Sequence, residues 1–381
     1  MDFNLTKEQA LIQKIAEEYG KKNLMHRQNE FEETHCVPPE IYLELGELGL
    51  MGIPFSEKYG GSDGGFDGYV LALEQIAMAN VGVASAIVAH NLGLAIINAF
   101  GTEEQKIRCM TPGCRGEHIL SFAFTEPGTG SDPKQITSTA KKDGDYWILN
   151  GTKRFISNAQ LPGTMGVIVK DVDSGKLCTF LVDKFSEGYS LSERWHKIAM
   201  DSQGLYDVYL KNCRVPAENL VGEVGDAFFH LEAGIGYGKM GIATQSMTIA
   251  QQAFDMALEY AKQKLHRGQP IAKFQAVQVL IAQMAEKIEA SRLVLYKSTM
   301  VGNVSVENPR LFAKYAALSK NFVSQNAVDV TRLAMEVMAS YGLMKDYKLE
   351  RLYREAIMLP QIEGVPHMQN VILANSILAG Y

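Results

Sequence analysis

The 381-residue sequence has no CxxC pair, no HxxxH pair and no run of lysine or arginine, and each absence removes a class of function. Its five cysteines, Cys36, Cys109, Cys114, Cys178 and Cys213, are scattered and odd in number, which fits free buried thiols better than disulfides or a metal site. Eight histidines without ligand spacing argue against a metal in the same way. A net charge of −6 with no basic run gives no footprint for nucleic acid or a membrane surface. No GxGxxG leads from a strand into a helix, which disfavours a Rossmann fold. No apolar run reads as long enough to cross a bilayer. The first residues, Met1-Asp2-Phe3-Asn4-Leu5-Thr6, carry neither a basic n-region nor an apolar h-region, so a cytoplasmic or already processed chain is expected.

What remains is an ordinary globular composition, 46% apolar and 21% charged, in a chain long enough for two or three packed units. Thr6-Lys7-Glu8-Gln9 is a capping box that opens an amphipathic helix through Leu11, Ile15 and Tyr19. Pro38-Pro39 opens another, and residues 69–79 and 81–100 read as two more, the last apolar almost all round. His90 and Asn91 within it read as interior residues, with a pocket lining as the less common outcome. The glycine-rich stretch 58–65 reads as a solvated turn.

From His118 the period changes to short runs rich in β-branched and aromatic residues, at 119–124, 146–149, 166–170, 179–182 and 206–210. Turns at 142–145 and at Asn150-Gly151 separate them at hairpin-like intervals, so an antiparallel, barrel-like β domain is expected. Helical periodicity returns near Asp226 in segments 247–265, 274–301, 309–341 and 368–378, the pattern of a four-helix bundle with methionine as core filler. The fold class is therefore α+β, mainly α, divided into an N-terminal helical domain (1–117), a middle β domain (118–225) and a C-terminal helical bundle (226–381).

Three stretches carry chemistry. In Phe122-Ala123-Phe124-Thr125-Glu126-Pro127-Gly128-Thr129-Gly130-Ser131-Asp132, a short strand breaks into a proline-glycine turn, which exposes backbone N–H groups beside hydroxyls. The second runs from Asn150 to Asn158 and holds Lys153-Arg154-Phe155-Ile156-Ser157. The third is Gln361-Ile362-Glu363-Gly364. Glu363 stands in an apolar neighbourhood, where lost hydration raises a carboxyl pKa toward the range useful for taking a proton from carbon. The residues alone fit equally well an exposed glutamate in a proline-edged loop.

Together and in this order, these stretches resemble the acyl-CoA dehydrogenase family of flavoproteins, and the resemblance runs from Phe3 to the last helix. It implies FAD as cofactor, an acyl-CoA thioester as substrate, an electron-transferring flavoprotein as acceptor and a homotetrameric assembly. Glu363 matches the glutamate that removes the α-proton while the flavin N5 takes the β-hydride. Its own backbone N–H matches one of the donors to the thioester carbonyl. For the flavin the resemblance implies contacts from Phe122, Phe124, Thr125, Gly130, Ser131, Phe155, Ile156 and Ser157. It adds Lys264, His266, Gln275, Val337, Met338, Ala339, Ser340, Val365 and His367 for the rest of FAD. Substrate contacts fall on Ser131, Tyr237, Gly238, Lys239 and Gly364.

Departures from the family pattern concentrate on the part of the FAD site shared between subunits. Lys239 and Lys264 stand where arginines are usual, with Arg267 three residues beyond the second. Ala339-Ser340-Tyr341-Gly342 replaces Gly-Gly-x-Gly, Val365-Pro366-His367 replaces Thr-x-Gln, and Phe155-Ile156-Ser157 replaces Trp-Ile-Thr. Ile362 replaces a tyrosine, and Gln275 is retained. Lysine offers a point charge where arginine offers a bidentate fork. Gly234, Gly236 and Gly238 are expected to leave a roomier substrate wall. No acid stands near Gly238, where some family members carry their base, so Glu363 is the one base on offer. Three alternatives stay open beside a dehydrogenase: an enoyl-CoA reductase using the same site in reverse, a flavin-assisted lyase or dehydratase, and a non-catalytic acyl-CoA-binding member of the fold.

Overall fold

The computed structural model describes residues 4–305 and 308–381. Phe3, where the resemblance begins, lies outside them, as do the first three residues of the reading of the N-terminus. Six helices come first: α1 (Lys7–Tyr19), α2 (Gln28–Thr34), α3 (Pro39–Glu47), α4 (Gly65–Ala79), α5 (Val81–Phe100) and α6 (Glu103–Cys114). The Thr6 hydroxyl accepts from the Gln9 N–H at 3.1 Å and Gln9 Oε1 accepts from the Thr6 N–H at 2.9 Å, which fixes the start of α1 as its sequence predicts.

Helix α5 corrects one expectation. Its 20 residues, with a mean hydropathy of 1.7 over 18 of them, are long and apolar enough to cross a bilayer. However, 78% of that window is buried inside the protein, the position of a core helix. His90 within it is fully buried, and its Nδ1 accepts the Leu120 N–H at 2.9 Å, an interior role.

Eight strands follow: β1 (Ser121–Ala123), β2 (Thr139–Asp143), β3 (Tyr146–Ser157), β4 (Thr164–Asp171), β5 (Leu177–Asp183), β6 (Tyr189–Leu191), β7 (Leu205–Pro216) and β8 (Leu220–Val221). They form one sheet ordered β6-β7-β3-β2-β4-β5-β8, with β1 added against β4. The sheet is open rather than closed into a barrel, and it is mixed rather than antiparallel: β1 and β2 both run parallel to β4. Asn150-Gly151 is not a turn. It lies inside β3 at a register shift opposite β7, where Gly151 takes φ 151° and bends the strand without ending it.

The C-terminal helices are α7 (Ala227–Gln263), α8 (Gln275–Gly302), α9 (Pro309–Met338), α10 (Leu349–Met358) and α11 (Pro366–Leu378), with a small hairpin of β9 (Leu265–His266) and β10 (Gln269–Pro270) after α7. Helix α7 starts 20 residues before the segment expected from periodicity, so Gly234, Gly236 and Gly238 lie within it. They serve close packing, not looseness. A Cβ at Gly236 would meet the Phe312 ring at 2.4 Å, and one at Gly234 would meet Ile96 at 2.8 Å. Helix α10 has no counterpart in the sequence expectation.

One apolar core joins the first helices to the last ones, from Ala16 and Leu45 through Met240 and Ala327 to Leu359. The sheet has its own core around Trp147, Val167, Phe180 and Val208. Cys109, Cys114, Cys178 and Cys213 are buried free thiols as expected, whereas Cys36 is exposed.

Candidate active site

Helix α10 runs into a 3-10 turn at Leu359–Gln361, and the chain then turns left-handed at two successive residues, Glu363 (φ 52°) and Gly364 (φ 90°). Glycine takes such a value freely, whereas for glutamate it is a strained conformation that the surroundings must hold. The reversal points Glu363 at α7. A Cβ built on Gly238 would lie 2.7 Å from Glu363 Oε2 and 2.8 Å from its Cδ. Part of the side chain stays open to solvent, while protein surrounds the carboxylate.

Two lysines act on this carboxylate. Burial pushes the Glu363 carboxyl above the usual carboxylate range, and Lys320 and then Lys239 pull it back. Burial pulls each ammonium down to about 8, with Glu363 opposing the shift in both. The fully buried Lys320 Nζ donates to the carbonyls of Pro360 and Gly364, each at 2.6 Å. Gln369 Nε2 donates to the Glu363 and Gly364 carbonyls at 3.2 and 2.9 Å. No carbonyl among the described residues takes the Glu363 N–H, which leaves it free to donate to a ligand.

Aromatic side chains close the wall beside Gly238. The Tyr237 ring lies 4.9 Å from Phe66, 5.9 Å from Phe55 and 6.0 Å from Tyr69. The Tyr69 hydroxyl is buried with no partner among the described residues. Burial raises the Tyr69 phenol, with Tyr237 and then Glu363 adding to the shift.

The first two motifs meet at the sheet. The Thr125 carbonyl accepts the Arg154 N–H at 2.7 Å, and the Ser121 hydroxyl donates to the Ser157 carbonyl at 2.8 Å. Under this junction lies a buried ion pair, Lys153 Nζ to Glu126 Oε1 at 2.7 Å. The same glutamate accepts from the Thr137 and Ser138 N–H groups at 2.7 and 3.0 Å. Burial works against the charged Glu126 carboxyl, but Lys153 and these donors outweigh it and hold it at about 2.

Phe155 sits at φ 59° with half its surface exposed, edge-on to Trp195 at 5.3 Å. The hydroxyls of Thr125, Ser131 and Ser157 make no hydrogen bond among the described residues. A Cβ at Gly128 would meet nothing within 4 Å. Free donors beside open space and a half-exposed aromatic ring, with the Arg154 guanidinium 5.9 Å over it, fit a flat ligand with polar edges. Of the other expected contacts, Ile156 is buried and Phe122 and Phe124 are half-buried. The Ile156 side chain is in the sheet core, and Phe122 and Phe124 pack against apolar clusters beneath the loop.

The remaining residues expected to contact the cofactor lie elsewhere. Lys264, His266, Gln275, Ala339 and Ser340 are exposed on the surface, with Lys264 Nζ 4.8 Å over the Tyr341 ring. Val337 and Met338 are not there: their side chains are buried in the helical core, because α9 runs to Met338 before the chain turns outward at Ala339 (φ 48°). Val365 is half-buried and His367 exposed at the start of α11.

Sequence reasoning missed Lys320, Glu126 and Gln369. Lys320 had a signal, since it falls in phase with the buried stripe Ala316, Val323, Ala327, Val330 and Ala334. A lysine on a core stripe must find partners for its ammonium.

Comparison with known proteins agrees with this geometry. Sequence models of the acyl-CoA dehydrogenase N-terminal, middle and C-terminal domains match residues 6–117, 121–213 and 230–378. A 3-(aryl)acrylate reductase of Clostridium sporogenes is 34% identical over 98% of this chain and 99% of its own. The caffeyl-CoA reductase-Etf complex subunit CarC of Acetobacterium woodii is 34% identical over 97% of both. The solved butyryl-CoA dehydrogenase of Megasphaera elsdenii superposes with a TM-score of 0.93 at 32% identity, covering 99% of this chain and 100% of that one. With these matches spanning nearly the whole chain, the protein belongs to the acyl-CoA dehydrogenase family.

Proposed function

We propose that the chain is an FAD-dependent acyl-CoA dehydrogenase in which Glu363 takes the α-proton of an acyl-CoA thioester to give a 2,3-enoyl-CoA. As a member of its family it is an oxidoreductase acting on the CH–CH group of an acyl-CoA. The observation that carries the proposal is the Glu363 carboxylate, enclosed by protein against Gly238, with two ammonium groups acting on it.

Burial makes the Glu363 carboxylate a stronger base than one in water, and the lysine charges keep a useful fraction ionised. Its free N–H is placed to donate to a thioester carbonyl as negative charge develops on that oxygen. A bound FAD would supply the hydride acceptor for the β-carbon. The free hydroxyls of Thr125, Ser131 and Ser157 and the half-exposed ring of Phe155 would hold its ring system. Lys264, His266, Gln275, Ala339 and Ser340 are exposed, so they would serve the FAD of a neighbouring subunit in a homotetramer. Ser131, Tyr237, Gly238, Lys239 and Gly364 would line the substrate. The division at 1–117, 118–225 and 226–381, a cytoplasmic location and an electron-transferring flavoprotein as acceptor belong to the same reading.

The relatives named as reductases support a second reading, an enoyl-CoA reductase using the same residues in reverse. A carboxyl raised by burial retains a proton well, as delivery to the α-carbon requires. Anaerobic mixing separates the directions: saturated acyl-CoAs bleach the bound flavin of a dehydrogenase, whereas enoyl-CoAs reoxidise the reduced flavin of a reductase. Glu363→Gln is expected to abolish both changes while flavin and thioester still bind. Unchanged turnover in that variant removes Glu363 from the mechanism.

A further inference from the structure

The loop that carries Glu363 is held by a residue that lies outside the three sequence motifs, Lys320 on α9. We infer that Lys320 is a positioning residue for Glu363, fastening the loop on both sides of the base so that its carboxylate stays against Gly238. The inference rests on Glu363 being the base.

Three observations carry it. First, Lys320 Nζ reaches the carbonyls of Pro360 and Gly364, both at 2.6 Å, so one ammonium bridges the residues that flank Glu363. Second, the bridged segment contains the left-handed pair Glu363 (φ 52°) and Gly364 (φ 90°), a geometry glutamate does not keep unless it is held. Third, Lys320 is fully buried and makes no direct ion pair among the described residues, a costly placement for an ammonium unless its hydrogen bonds compensate. Those bonds go to backbone carbonyls, and Glu363 is the carboxylate whose charge acts on the lysine.

The groups facing Glu363 come from three helices: Lys320 on α9, Lys239 on α7 and Tyr69 on α4. Gln369 adds a second strap to the Glu363 and Gly364 carbonyls from α11. Of these, Lys320 alone joins the start of the loop to its end. Its ammonium thus serves twice, as a fastener of the backbone and as a positive charge beside the base. A side chain that merely filled the core would do neither.

The test is Lys320→Met in the flavin-loaded enzyme. Backbone amides of residues 361–365 are expected to exchange with deuterium about tenfold faster, while those of α9 keep their protection. Turnover per flavin is expected to fall about 100-fold with little change in KM, as for a displaced base. The acid limb of the kcat profile should move to higher pH, because a stabilising positive charge has left the carboxylate. A folded variant whose loop exchange, kcat and acid limb match the parent overturns the inference. If the methionine variant does not fold, the same readings on Lys320→Gln decide. Inactivity of the parent enzyme toward every acyl-CoA and enoyl-CoA would sink the reading of Glu363, whereas the exchange result judges the fastening by itself.

Discussion

Gly238 and Glu363 are separated by 125 positions in sequence but are in contact in the fold: a side-chain carbon on the glycine would come within 2.7 Å of the glutamate Oε2. Positions 238 and 363 therefore open on one point in space. A carboxylate arriving from either helix α7 or the last loop would fill the same site, and only one fits.

Gly238→Ala is expected to lower kcat/KM about 100-fold, because the atoms it strikes are the movable end of Glu363 and the carboxylate is pushed aside. Alanine favours a helix over glycine by about 1 kcal/mol, so thermal stability should not suffer. Steady-state kinetics beside a melting curve separates the two effects. A variant with full activity would mean that Glu363 works from another position.

The pH dependence should reflect the desolvated base. Burial raises the Glu363 carboxyl, so dehydrogenation, which needs the carboxylate, should gain rate through a limb lying above the ordinary range near 4.5. Lys239→Met removes a positive charge that lowers this carboxyl, and the limb should move further up. Lys239→Arg keeps the charge and should leave it in place. An unmoved limb in the methionine variant means that Lys239 does not act on the base.

Glu126→Gln breaks a buried ion pair and leaves the Lys153 ammonium uncompensated, which costs about 3–5 kcal/mol. The folded Glu126 carboxyl is held at about 2 against an ordinary value of 4.5, so its contribution is fully present above 4.5 and is lost as pH falls toward 2. Urea unfolding of parent and variant at pH 7 and pH 3 should show a gap that narrows in acid. An equal gap at both values would show that the pair is not the source of the difference.

Protein purified without denaturation is expected to carry about one flavin per chain, since the free hydroxyls around Phe155 fit the ring system. Lys264→Arg should slow flavin loss on dilution, because a planar fork makes two parallel bonds to a phosphate where an ammonium is a point charge. Visible absorbance after gel filtration gives both answers, and a flavin content near zero in the parent would defeat the cofactor assignment.

Much of this was legible in the chain itself. The capping box at Thr6, the apolar run of α5 and the change of period at His118 mark the helical and β regions, because local propensity and core patterning agree there. Glu363 was marked by its match to the family's glutamate, because its apolar neighbours alone suit an exposed loop acid equally well. Asn150-Gly151 misled because the dipeptide suits a hairpin turn as readily as a bulge, and the pairing of β3 with β7 decided between them. Helix α10 went unseen because its buried positions, Leu349, Leu352, Glu355 and Ala356, include an acid on the inner face. Glycines 234, 236 and 238 looked like slack because a sequence does not show what stands opposite each one.

The order of residues was enough to divide the chain into helical, β and helical regions and to mark most of the helices, since both depend on neighbours close along the chain. The tertiary structure alone decided that Glu363 lies against Gly238, with the charges of Lys320 and Lys239 acting on it, and that Glu126 anchors the loop with Lys153 beneath it. These are contacts between distant parts of the chain. Their strength depends on burial, which raises the cost of an unpaired charge and so makes each partner necessary.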